Sequence, residues 1–372
     1  MDMADSPDPI IQEVRNPFQP GGMILMFLGQ SAMNGLGKIC EDSNKMLDST
    51  EFNGQRPLDF MIPKFIQYGK SPNYKIRATA LFCLNQFTFI RSQSLFANLD
   101  PFIQLLFTLA TDPSPDVRKN VCQALVQLVD VRPDKIAPAI KDVVRYMLIS
   151  TEDADEMVAL EACEFWLAVA EQPSMRADVE PFLPDIVPRL LKSMVYTDED
   201  VVVLGGDEDD YQIADKAEDI NPQLEHSTTK AHKVNGSSLS GGDRPATPRH
   251  VDSVGDVDED ADSYYTDEEE DDDEGYSDWN LRKCSAAALD VLSNVYNAHL
   301  FEVIKPFLVQ NIRSENWKIR EASVLALGAI AEGCMDGVVP HLPELYPYLL
   351  SLLHDTKVTL SYVFGGADSS IW

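Results

Sequence analysis

The stretch Asp116-Val117-Arg118-Lys119-Asn120-Val121-Cys122-Gln123-Ala124-Leu125-Val126-Gln127-Leu128 decides the fold. It leaves a polar turn, places an apolar anchor and an arginine, and then repeats Val121, Ala124, Leu125 and Leu128 at spacings of three and four. That is one apolar face of a helix. The same opening recurs in Tyr74-Lys75-Ile76-Arg77, Glu156-Met157-Val158-Ala159, Asn280-Leu281-Arg282-Lys283 and Lys318-Ile319-Arg320-Glu321. The anchors Ile76, Val117, Val158, Leu281 and Ile319 follow one another at intervals of 41, 41, 123 and 38. A helical unit that recurs with a period of about 40 cannot bury both of its faces alone, and stacking on its neighbours closes the core.

The expected fold is therefore all-α, a solenoid or superhelix of antiparallel helix pairs of the HEAT-repeat or armadillo class, with a long disordered acidic insertion. First helices are expected at Leu58–Gly69, Pro101–Ala110, Pro138–Ile149, Pro181–Val195, Phe301–Ile312 and Pro340–Leu353, several with proline in the first turn, where a missing N–H costs nothing. The gap of 123 exceeds one repeat of 41 by 82, and residues 198–278 number 81. The insertion thus falls inside one repeat, between a first helix at Pro181–Val195 and a second at Ser277–Asn297. Expected segments are 1–35, which does not fit the repeat; repeats over 36–197; the insertion, 198–278; repeats over 279–357; and a tail, 358–372. The first good fit is a lone second helix, Gly37–Leu47, and the last a lone first helix. The chain reads as an internal piece of a longer array.

The insertion carries 27 Asp and Glu against 5 Lys and Arg, which accounts for 22 of the 31 net negative charges. It includes Asp258, Asp260 and the run Asp267-Glu268-Glu269-Glu270-Asp271-Asp272-Asp273-Glu274. Such a block repels itself and buries little, so disorder is expected. Asp258, Asp260, Asp262 and Glu269 mimic a calcium-loop count, but Ser263 stands where the turn glycine belongs, so a solvated acidic tract is the reading. Thr247 and Thr266 are candidate phosphorylation sites. The remaining sequence has 34 acids and 25 bases, which argues against a nucleic-acid partner.

The cysteines Cys40, Cys83, Cys122 and Cys163 follow the repeat, with gaps of 43, 39 and 41, and with Cys284 and Cys334 they read as small core residues. No metal spacing, nucleophile–base pair or phosphate-cradling loop is present, so neither enzyme activity nor a cofactor is expected. The apolar run Met23–Leu28 falls far short of the about 20 residues that span a membrane.

Longer strings carry a family resemblance. Ser277-Asp278-Trp279-Asn280-Leu281-Arg282-Lys283-Cys284-Ser285-Ala286-Ala287-Ala288-Leu289-Asp290-Val291-Leu292 resembles the transportins, importin-β-type nuclear import receptors. So do Val158-Ala159-Leu160-Glu161-Ala162-Cys163-Glu164-Phe165-Trp166-Leu167, Leu327–Met335 and Lys38–Ser43. The likeness runs from about Lys38 to about Lys357 and covers a middle portion of the family's array. It implies partners: Ran-GTP, cargo proteins with Pro-Tyr nuclear localisation signals, and nuclear pore proteins. It implies shuttling between cytoplasm and nucleus, with cargo released under Ran-GTP control through the acidic loop. By position, the cargo pocket would start at Ala287 and Asp290, with Leu325 on the next repeat, the rest of the pocket lying in downstream repeats. A HEAT scaffold of a multiprotein assembly, or an inert truncated product, is the alternative.

Overall fold

The computed structural model describes residues 20–51, 54, 56–203 and 279–352. Among these, every regular element is helical and there is no strand. The long helices are α1 (Pro20–Ser49), α2 (Pro57–Tyr68), α3 (Tyr74–Phe89), α4 (Leu99–Leu109), α5 (Pro115–Val131) and α6 (Ile140–Ser150). They continue with α7 (Glu156–Ala170), α8 (Leu183–Ser193), α9 (Asp198–Val203), α10 (Leu281–Asn311), α11 (Trp317–Ile330) and α12 (Leu342–Leu352). The insertion beyond Val203, with its acidic run, the calcium-like tetrad and both threonines, lies outside the described residues, as do the tail and the first nineteen positions.

Second helices start where a short polar side chain can occupy an orphan backbone N–H. Asn73 accepts from Lys75, Asp155 from Met157 and Val158, Asn280 from Lys283, and Asn316 from Lys318. Their apolar faces then stack in series: α1 on α3, α3 on α5, α5 on α7, α7 on α10 and α10 on α11. First helices pack beside their own second helices, and the core runs continuously from Met33 to Leu352. All six cysteines are free and buried within it.

Several boundaries differ from expectation. The prolines Pro138, Pro181 and Pro340 sit in short 3-10 turns (Ala137–Ala139, Glu180–Phe182, Val339–His341) that lead into the α-helices. α1 begins at Pro20, well before Gly37, inside the segment that does not fit the repeat. Residues 198–203 are helical rather than part of a structureless loop, because Thr197 and Asp200 cap each other and Val201 is buried. α10 joins a second helix to the next first helix through a break at Asn297, where φ is 42°.

A ladder of charges ties consecutive repeats. Arg77 donates two bonds to Asp112 (2.8 and 2.9 Å), and Arg118 two to Asp153 (both 2.8 Å). Each pair is 35 residues apart. Each arginine also donates to the carbonyls of the turn before its own helix, Ser71 and Pro72 or Asp112 and Pro113. One planar fork therefore fixes two turns at once. The arginine beside Asp153 holds that carboxyl below the usual carboxylate range. The next arginine position is Ala159, so the ladder stops one repeat before the insertion.

Candidate functional site

The insertion interrupts a repeat, and both sides of the interruption are anchored. α8 packs directly against α10 although the whole insertion lies between Ser193 and Leu281 in the sequence. The hydroxyl of Tyr296 donates to the carbonyl of Arg176 (3.1 Å), and His299 meets Glu180 at 2.7 Å. The split repeat is therefore whole in space.

At the outgoing end, the Tyr196 ring lies 4.0 Å from the Arg282 guanidinium and 6.0 Å from the Trp317 ring. Arg282 occupies the ladder register, but the position two before the next N-cap, where Asp112 and Asp153 stand in their repeats, is Ser314. Arg282 pairs instead with Glu321 of α11, which is fully buried. Burial pushes the Glu321 carboxyl up, and Arg282 pulls it back down. The aromatic face of Tyr196 supplies the guanidinium with a further favourable contact in this dry setting. Asp198, the first residue of α9, pairs with Lys318 of α11 at 2.6 Å.

At the returning end, the Trp279 indole N–H donates to Glu164 of α7. Burial raises the Glu164 carboxyl, and the bonds from Trp279 and Cys284 oppose the rise. One turn earlier, burial pushes Glu161 up to about 7, with Lys119 pulling it down and Glu164 adding to the rise. A carboxyl whose folded pKa exceeds its unfolded value contributes stability at low pH, and that contribution is lost as pH rises through the window from about 4 to 7. Glu161→Gln is therefore expected to raise the melting temperature at pH 8 and leave it nearly unchanged at pH 4. An equal change at both pH values would contradict the assignment.

Ala287 and Asp290 lie three residues apart on the first half of α10, and Leu325 lies on α11. The Arg282–Glu321 pair and the close approach of Gly333 to Ser293 set the register between the two helices. Both contacts advance together along the two helices, so α11 runs parallel to the first half of α10 with Leu325 level with Ala286 and Ala287. Ala287 and Leu325 are partly buried against the core. Asp290 is partly buried, and its carboxylate accepts from Asn294 at 3.0 Å. A carboxylate can accept several donors at once. Two shallow clefts among the described residues lie elsewhere. One runs over Ala137–Asp142, Arg145 and Asp178, the other between Gln30, Asn34, Lys75, Thr79, Phe82, Asp116 and Asn120.

Sequence reasoning misses the charge ladder and the anchors Tyr196, Trp279, Lys318 and Glu321. The ladder has a signal, since Asp112 and Asp153 repeat with the same period as Arg77 and Arg118. The anchors have none, because their partners are distant in sequence: Trp279–Glu164 and Lys318–Asp198 join positions 115 and 120 residues apart across the insertion, and Glu321 meets Arg282, 39 residues before it. Among the described residues no group of side chains could hold a metal ion, and no helix is long and apolar enough to cross a membrane.

Comparisons with known proteins agree with this architecture. The HEAT repeat family matches residues 102–132, and the HEAT-like repeat family residues 317–359. Importin subunit beta-2 of Schizosaccharomyces pombe is 55% identical over 335 residues, covering 88% of this chain and 35% of that protein. Transportin-1 of Mus musculus is 46% identical over 329 residues, covering 88% of this chain and 34% of that protein. The chain thus spans about a third of the length of these relatives. A crystal structure of importin beta superposes with a TM-score of 0.59 at 14% identity, covering 95% of this chain and 34% of that one. A Kap95p structure, described as inducing the switch loops of RanGDP to adopt the GTP-bound conformation, gives a TM-score of 0.56 at 15% identity, covering 96% and 35%.

Proposed function

We propose that this chain, whose sequence is of the transportin or importin beta-2 kind, works as the insertion-bearing segment of a nuclear import receptor. It would hold protein cargo on the second-helix face that follows the insertion. The observation that carries the reading is the intact split repeat: α8 and α10 pack as partners although an acidic segment separates them. A static scaffold has no use for such an interruption. In a receptor it offers an acidic arm for basic surfaces, placed beside the groove that holds cargo. The chain acts by binding, with no catalytic step and no cofactor.

The partners are Ran-GTP, cargo with Pro-Tyr nuclear localisation signals and nuclear pore proteins, met while shuttling between cytoplasm and nucleus. Nucleic acid and membrane are not partners. The acidic arm would meet basic patches of Ran-GTP through Asp258, Asp260, Asp267, Glu268, Glu269, Glu270, Asp271, Asp272, Asp273 and Glu274. Attraction between exposed charges is screened beyond about 8 Å at physiological salt. Binding of Ran-GTP to this chain is therefore expected to be weak and to fade as salt rises. Tight, salt-insensitive binding would refute that role.

In the cargo groove Ala287 leaves room for a tyrosine ring, Leu325 packs against it and Asp290 accepts its hydroxyl. A hydrogen bond to a charged acceptor is worth about 1.5–3 kcal/mol, roughly tenfold or more in affinity. The test is a titration of a labelled basic Pro-Tyr peptide against the chain, Asp290→Ala and a deletion of residues 207–274. Asp290→Ala should bind about tenfold more weakly, whereas the deletion should bind no more weakly than the parent, because it removes an acidic competitor for basic cargo. Equal binding to the parent and Asp290→Ala would sink the pocket.

A further inference from the structure

We propose that Ser314 is a phosphoacceptor, and that a phosphate on it completes the rung missing from the charge ladder between α10 and α11. The proposal stands apart from the insertion and from the cargo reading.

Ser314 holds the ladder's acid position by two measures. It stands two residues before the N-cap Asn316, as Asp112 stands before Ser114 and Asp153 before Asp155. It also stands three residues beyond Asn311, the end of the preceding first helix, as Asp112 follows Leu109 and Asp153 follows Ser150. Its local bonds are those of a rung. Ser314 Oγ accepts from the Asn316 amide at 3.2 Å, as Asp112 accepts from Ser114 at 2.9 Å and Asp153 from Asp155 at 3.0 Å. Arg320 donates to the Ser314 carbonyl at 2.7 Å, as Arg118 does to that of Asp112 at 2.9 Å. Only the acid is lacking. The arginine of the preceding repeat shows the loss. Arg77 and Arg118 each donate to their acid through Nε. In Arg282 the Nε is buried and meets no acceptor among the described residues, while Nη2 turns to Glu321. A buried donor left in this way is costly.

Phosphorylation by a serine kinase moves the terminal phosphoryl group of a nucleoside triphosphate to Ser314 Oγ. The Oγ–P bond forms as the bond from that phosphorus to its bridging oxygen breaks. The nucleoside diphosphate leaves, and the hydroxyl proton passes to the kinase's base. Ser314 is partly exposed, and Arg313, Glu315 and Asn316 beside it are exposed, so the turn is open to an enzyme. The phosphate brings a charge of about −1.5 to −2 and three acceptor oxygens. Its phosphorus lies a bond further from the backbone than the carboxyl carbon of aspartate. It can thus take the Nε of Arg282 while Nη2 stays on Glu321, and the buried carboxylate keeps its counter-charge. Arg320, already bonded to this turn, supplies a second guanidinium. Ala287 and Asp290 lie on α10 and Leu325 on α11, so the rung would also fix the spacing across the candidate groove.

Ser71 is a built-in control. Its Oγ accepts from the Asn73 amide at 3.3 Å, and Arg77 donates to its carbonyl at 2.9 Å. The helix before it, α1, contains no arginine, so a phosphate there has no guanidinium to meet from the preceding repeat.

The experiment is hydrogen exchange on the full chain with phosphoserine installed at 314, at 71, or at 314 together with Arg282→Lys. The lysine keeps a cation for Glu321 and removes the Nε; if that variant does not fold, the Ser71 control serves. Phosphoserine at 314 is expected to slow exchange of the α11 amides about tenfold, the equivalent of one hydrogen bond to a charged group. Arg282→Lys should abolish the slowing, and phosphoserine at 71 should not slow α3 comparably. Unchanged or faster exchange in α11, equal slowing at both serines, or slowing that survives Arg282→Lys would overturn the rung. Phosphopeptide mapping of the protein isolated from its own cells, growing and arrested, with phosphatases inhibited, should find phosphate on Ser314. Its absence in every state would overturn the modification.

Discussion

Gly333→Ala is expected to unfold the last repeats of the chain while leaving the earlier ones folded. A Cβ built at Gly333 would lie far inside contact distance of the Ser293 carbonyl carbon and Oγ and of the Asn294 amide nitrogen. These are mostly backbone atoms of α10, so no rotamer change makes room. The site is also doubly tied. Asn297, at the break in α10, donates to the Gly333 carbonyl at 2.9 Å, and the Cys334 thiol donates to the Asn297 carbonyl at 3.2 Å. Relief by helix displacement would break both bonds and disturb the unusual backbone of Asn297. Overpacking a tight core commonly costs about 1–3 kcal/mol and more when backbone must move, so a loss of about 3 kcal/mol or more is the expectation. In a stack of repeats each unit contacts only its neighbours, so the damage is local. Hydrogen exchange should show protection lost over Leu281–Leu352 and retained over Pro57–Ala170. Uniform loss along the chain, or a melting temperature equal to the parent's, would contradict this account.

The repeat is legible because its signal is local. Apolar positions such as Val121, Ala124, Leu125 and Leu128 follow helical spacing, and their recurrence from one repeat to the next needs no long-range information. Even the split repeat can be located, since one overlong interval between otherwise regular anchors, from Val158 to Leu281, marks its place. What escapes depends on partners distant in sequence. Trp279 reads as a residue before a helix, and only the fold shows it reaching Glu164 of another repeat. Glu321 reads as one more polar residue beside Arg320, yet it is buried against Arg282 of the repeat before. The helical start of the insertion also escapes, because charge suggests solvent while the Thr197–Asp200 cap and a single buried valine decide otherwise. The candidate groove residues Ala287, Asp290 and Leu325 rest on family resemblance alone. The fold places them on adjacent parallel helices, and ligand binding is the test of their role.

The ladder yields the second large effect. Asp112→Ala should cost about 3–5 kcal/mol, the range for breaking one partner of a buried ion pair. The Asp112 side chain is 5% exposed and that of Arg77 12%. Removing the carboxylate leaves the guanidinium with the Ser71 and Pro72 carbonyls and no counter-charge. It also removes the acceptor of the Ser114 amide, which the same carboxylate holds at 2.9 Å just before α5. Two turns would loosen together, those before α3 and α5. The paired replacement Arg77→Leu with Asp112→Leu should cost markedly less, because no charge is left uncompensated and a buried pair often brings little net stability over apolar packing. Urea unfolding of the parent, the single variant and the pair measures the difference. If the pair is destabilised as much as the single variant, the ladder contributes by its specific geometry rather than by balancing a buried charge. That outcome would move the origin of repeat-to-repeat cohesion from charge compensation to the bidentate fork itself.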